Sequence, residues 1–111
     1  MTTLAALLDH LCEGDVVDTA DIARVSGTNP RSVLRWKADV AVPRRGAEER
    51  LLELRAVVDL MRQVMRDSAA RLWLRSPNPE LGYEKPLELI AQGHYRRVID
   101  LLLAVAEGVT A

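Results

Sequence analysis

The sequence predicts an all-α protein, and three observations carry that expectation. Apolar residues recur at i, i+3, i+4 and i+7 in several segments, whereas no stretch alternates convincingly as a strand would. The apolar half of the composition is built from Leu, Val, Ile and Ala, with only Trp36, Trp73, Tyr83 and Tyr95 as aromatics and no Phe. Gly and Pro fall at the spacings of helix stops and starts. A chain of 111 residues suits one compact domain or two small subdomains sharing a core.

Taken in order, Leu4, Leu7, Leu8 and Leu11 define a first amphipathic helix that Gly14 ends. Cys12 continues its apolar face as a core residue. As the single cysteine it excludes an intrachain disulfide and a cysteine-based metal site. His10, two residues away, lies on another face, so no Cys/His pair forms.

Residues 18–37, DTADIARVSGTNPRSVLRWK, hold the most informative pattern. Thr19 is the expected N-cap of one short helix, with Ile22, Ala23 and Val25 on its inner side. Gly27 supplies the positive φ of a sharp turn. Asn29 caps a second helix and Pro30 fits its first position, where no N–H is needed. Val33 and Trp36 face inward; Arg31, Arg35 and Lys37 do not. Helix, glycine turn and basic helix together match a helix-turn-helix, whose second helix enters the DNA major groove. An ordinary helical hairpin with solvated arginines fits the same letters.

Charge distribution favours the first reading. The whole chain balances 15 basic against 16 acidic residues, yet between positions 24 and 45 six basic residues face only Asp39. Such a local excess is an electrostatic footprint for nucleic acid. Asn29, Arg31, Ser32 and Arg35 are the expected base or phosphate contacts; Lys37, Arg44 and Arg45 are the expected backbone anchors.

Val40, Val42 and Pro43 imply a short extended linker. A long helix is expected over 47–66, with Glu48 and Glu49 at its positive end. Leu51, Leu54, Val58, Met61 and Met65 form one stripe; Leu52, Val57, Leu60 and Val64 form another. Two stripes predict burial on two sides, against this chain's core and against a second chain or subdomain. Asp67 and Ser68 are candidate N-caps for the next helix, whose Leu72 and Trp73 are expected to face inward. SPNPELGYEKP reads as an ordered loop. Pro86 opens a short helix that Gly93 ends, and a last helix runs over 94–107 with Gly108 beyond it.

No phosphate-binding glycine loop, nucleophile–base pair or clustered metal ligands appear, so an enzyme, a cofactor or a bound metal is not expected. The N-terminus lacks a basic segment followed by an apolar run, and no apolar stretch approaches a membrane span, so a cytoplasmic location is expected.

From Trp73 onward, the features Trp73, Pro77-Asn78-Pro79, Leu81-Gly82, Lys85-Pro86-Leu87, Gly93, Val98 and Leu101-Leu102 carry a more specific signal. This segment resembles the C-terminal toxin-binding domain of the Xre/MbcA/ParS antitoxin family. The helix-turn-helix and the long helix sit where that family has its Xre-like DNA-binding part. One departure is Tyr83, where relatives often carry glycine or another small residue.

The resemblance implies three regions: a helix-turn-helix DNA-binding region over 1–46, a connecting helix over 47–66 and a toxin-binding domain over 67–111. It implies an antitoxin that neutralises a NAD-consuming RES-domain toxin by obstructing its active site, and that represses its own operon by binding operator DNA. A homodimer, or a larger hetero-oligomer with toxin, is the expected assembly. The expected toxin contacts are Asn78, Tyr83, His94, Tyr95, Arg96, Arg97 and the tail Gly108, Val109, Thr110 and Ala111. Asn78 also suits a purely structural turn role, and the Arg96–Arg97 pair suits an exposed surface. The competing function is a stand-alone dimeric helix-turn-helix regulator with no toxin partner.

Overall fold

The computed structural model describes residues 3–108. Their architecture is all-α: seven α-helices, two short 3-10 turns and no strand beyond an isolated bridge between Asn78 and Glu84. Helix α1 spans Leu4–Cys12, and the Thr3 hydroxyl caps it by accepting from the Ala6 N–H at 3.1 Å. A turn at Glu13–Asp15 follows, with Gly14 at φ 66°. That left-handed backbone favours glycine, and the exposed Asp67 carboxylate would have to swing aside for a Cβ at this position.

Helix α2 spans Thr19–Ser26. Its cap is Asp18, not the expected Thr19, which is the first helical residue. Asp18 accepts from the Asp21 N–H at 3.0 Å, and Asp21 accepts in return from the Asp18 N–H at 2.8 Å. This reciprocal box satisfies two orphan donors with carboxylates at the helix's positive end, more than one hydroxyl offers. Gly27, at φ 75°, closes the helix. Asn29 and Pro30 then open α3, Pro30–Lys37, and Asn29 Oδ1 accepts from the Ser32 N–H at 2.9 Å.

Helix α4, Arg45–Val64, begins and ends two residues before the expected bounds: it starts directly after the extended Arg44, and the extended backbone of Met65 stops it. Helix α5 spans Asp67–Arg75. Neither Asp67 nor Ser68 is its N-cap. Arg66 holds that position without a side-chain hydrogen bond, and Asp67 lies in the first turn. Leu72 is 69% exposed, contrary to expectation, and Trp73 is only half-buried. Ala70 and Leu74, four apart on one face, make the buried contact instead.

The eleven-residue loop folds back on itself. The Asn78 side chain accepts from the Glu80 N–H at 2.9 Å, and its backbone N–H donates to the Glu84 carbonyl at 3.1 Å. Between them a 3-10 turn, Pro79–Leu81, buries Leu81. Helices α6, Pro86–Ala91, and α7, Tyr95–Ala106, complete the chain.

One apolar core joins all these parts. Leu8 and Leu11 of α1, Ile22 of α2, Leu51, Leu54 and Met61 of α4, Leu74 of α5, Ile90 of α6 and Leu102 of α7 are all fully buried within it. On α4, Val57 and Val58 join that buried face, while Leu60, Val64 and Met65 pack at its margin and Leu52 stays half-exposed. Helices α2 and α7 both pack against α4, so much of its two-sided apolar surface is covered by this chain itself.

Arginines tie the two ends of the chain together. Arg62 donates to the His10 and Glu13 carbonyls at 2.9 and 2.8 Å, satisfying acceptors at the end of α1. Arg71 donates to the Asp15 carbonyl at 2.8 Å and the Asp18 carboxylate at 3.1 Å. Arg75 pairs with Asp21, the one buried charged side chain among the described residues, and reaches the Val16 carbonyl at 3.1 Å.

Candidate functional site

The α2–α3 pair presents the first candidate surface. Val33 and Trp36 lock α3 onto the core at 0% and 5% exposure. This leaves Arg31, Leu34 and Arg35 exposed at i, i+3 and i+4 on the opposite side. Ser32, Arg35 and Arg44 border a cleft of about 370 Å3 with Thr28, Trp36 and Val42. The structure therefore brings together a helix arginine and a linker arginine that lie nine positions apart in sequence.

Other predicted residues stand elsewhere. Asn29 is spent on capping α3. Arg45 is the exposed first residue of α4, outside the cleft lining. Lys37 turns back toward α1, its Nζ 3.7 Å from Cys12 Sγ, which separates it from the exposed arginine face.

Electrostatics sharpen this surface. Arg24 belongs to the basic stretch, but its guanidinium meets Glu88 of α6 at 2.9 and 2.5 Å. That hydrogen bond holds the Glu88 carboxyl below its usual range and raises the Arg24 pKa. Arg31, Arg35, Arg44 and Arg45 have no ion-pair partner among the described residues.

The second candidate surface lies at the start of α7. His94, Arg96 and Arg97 are exposed there, and the Arg96 guanidinium stands 5.9 Å from the centre of the half-buried Tyr95 ring. Tyr83 is 72% exposed and holds φ 65°. That left-handed backbone is one that glycine adopts without the cost a side chain brings. Asn78 acts as a turn cap. Gly108 lies past the far end of α7, about 20 Å from Tyr95 at 1.5 Å per residue. The expected contacts Val109, Thr110 and Ala111 lie outside the described residues.

The sequence reading missed three exposed apolar side chains beside the basic helix: Leu34, Val40 and Val42, at 57%, 67% and 81%. Leu34 was legible from helical spacing, since it lies one turn after Arg31 and off the face that Val33 and Trp36 bury. Among the described residues, no three His, Cys, Asp or Glu side chains gather as a metal-holding group. No helix among them is long and apolar enough to cross a membrane.

An N-terminal helix-turn-helix shares one core with a helical C-terminal unit, and this defines an all-α chain of the helix-turn-helix class. Comparison with known proteins narrows this further. Residues 53–108 match the family described as the antitoxin Xre/MbcA/ParS C-terminal toxin-binding domain. The chain is 42% identical over 96 residues to the mycobacterial cidal antitoxin MbcA of Mycobacterium tuberculosis and of Mycobacterium bovis, spanning 86% of this chain and 77% of the relative. Its fold superposes, with a TM-score of 0.87 and 35% identity, on a chain in the crystal structure of the M. tuberculosis MbcT–MbcA toxin–antitoxin complex, with 100% of both chains covered. The chain belongs to the Xre/MbcA/ParS antitoxin family.

Proposed function

We propose that this protein is the antitoxin of a two-component system, acting by binding rather than by catalysis. It pairs in the cytoplasm with a cognate toxin and represses its own operon through α2 and α3. The observation that carries the toxin partnership is the superposition, complete along both chains, on a chain of a toxin–antitoxin complex. The nature of the toxin, a RES-domain enzyme that consumes NAD, follows from the family resemblance. Residues 67–111 are proposed to engage it and obstruct its active site, with Tyr83, His94, Tyr95, Arg96, Arg97 and the tail from Gly108 as contacts. Asn78 supports that surface from within the turn.

DNA binding rests on different observations: the exposed arginine face of α3 and the cleft that joins Arg35 to Arg44. Operator contacts are assigned to Arg31, Ser32, Arg35, Arg44 and Arg45, with Lys37 peripheral and Asn29 structural.

Co-expression with the neighbouring gene, followed by native mass spectrometry, tests the partnership. A stable complex containing a toxin-sized chain, together with rescue of growth, is the expected result. A lone dimer that binds DNA and recovers no partner would favour a stand-alone regulator.

A further inference from the structure

We infer that Leu34 is a base-reading residue that recognises the C5-methyl group of thymine in the operator. This deepens the proposal that α3 binds DNA, and it rests on that reading. Among the apolar residues of α3, Val33 and Trp36 are buried at 0% and 5%, whereas Leu34 is 57% exposed. It lies on the exposed side of the helix, one turn after Arg31 and on that residue's flank, with Arg35 on the other flank; both arginines are exposed and without ion-pair partners among the described residues. No acidic side chain lies on α3 itself.

The occupant of such a face must satisfy two free guanidinium groups and one isobutyl group within a single helical turn. The DNA major groove meets both needs. Its phosphate walls attract the arginines, and guanine O6 and N7 accept a bidentate guanidinium. The thymine C5-methyl is the apolar group on the groove edge. With Arg31 one turn before it on the same face, Leu34 reads a thymine placed beside a guanine. Covering one methyl removes apolar surface comparable to a buried methylene, worth about fourfold in affinity.

The test uses the full chain and the duplex lying directly upstream of its own gene, amplified once with thymidine and once with deoxyuridine triphosphate. Uracil keeps the pairing edge and removes every methyl. Wild-type protein is expected to bind the uracil duplex about fourfold more weakly for each methyl that Leu34 covers. Leu34→Ala is expected to bind both duplexes equally, at the level of wild type on uracil DNA, while Leu34→Met retains part of the discrimination. Equal wild-type affinity for the two duplexes would overturn the role of Leu34 while leaving DNA binding intact. Wild-type binding no tighter than to an unrelated duplex at low salt would overturn both. A Leu34→Ala protein whose free mass falls from dimer to monomer would assign the leucine to contact between copies instead.

Discussion

Two populations of arginine meet the helix-turn-helix: one on α5 grips the start of α2 from outside, the other projects from α3. Arg71 and Arg75 clamp the start of α2, each divided between a carboxylate and a main-chain carbonyl. Arg31 and Arg35 on α3 touch no acid among the described residues. The first population has spent its hydrogen-bonding capacity on the fold, and the second keeps it for a partner. Substitution should therefore separate stability from binding.

The largest expected effect is on the clamp. Arg75→Ala leaves the buried Asp21 carboxylate with only the Asp18 N–H as partner, and breaking a pair of this kind costs about 3 kcal/mol. Urea unfolding should show the loss, and any protein that remains folded should keep its affinity for DNA. Arg35→Ala should do the reverse. Its unfolding midpoint should stay put, since surface substitutions fall within about 0.5 kcal/mol, while operator binding weakens by about 1–3 kcal/mol with a shallower salt dependence. Arg35 binding data equal to wild type at every salt concentration would remove α3 from the DNA interface.

Gly14→Ala addresses the turn that positions the clamp. Its left-handed backbone alone costs an alanine about 1–2 kcal/mol, and the Asp67 carboxylate stands where the methyl would go. Adding Asp67→Ala should recover the steric part of the loss and leave the backbone part, as paired thermal melts would show.

The smallest effect is at the exposed Arg24–Glu88 pair. Arg24 lowers the Glu88 pKa in the folded chain, so the pair's contribution is complete above the unfolded carboxyl value. It fades as pH falls through that value toward the lowered one. Melting midpoints of wild type and Glu88→Gln should differ slightly at neutral pH and converge in acid.

The difference between the two populations also marks what was legible in the sequence. Helix order, the Gly27 turn, the Asn29–Pro30 start and the inward Val33 and Trp36 all follow from local rules that need no third dimension. The features from Trp73 to Leu102 carried the family resemblance, and they lie inside the matched region 53–108. One error was local: Asp18 displaced Thr19 as cap because Asp21, three positions on, answers it. The others arose where tertiary partners decide. Leu72 faces outward because Ala70 and Leu74 already fill the core side of α5. Nothing in the basic stretch itself shows that Arg24 is neutralised by a glutamate 64 positions away. The placement of Lys37 on Cys12, away from Arg35, is equally a product of packing against α1.

The acceptors used by the clamping arginines have an evolutionary consequence. Glu13, Asp15 and Val16 receive Arg62, Arg71 and Arg75 through their peptide carbonyls, and every residue type possesses one. Drift at those three positions therefore leaves these acceptors in place, whereas the donors have no substitute. Lysine, a single ammonium, lacks the planar fork that reaches a carbonyl and a carboxylate together. Across descendants of this gene, side-chain identity in the short turn after α1 should wander under the limits of burial and backbone shape alone, with arginine held at 62, 71 and 75.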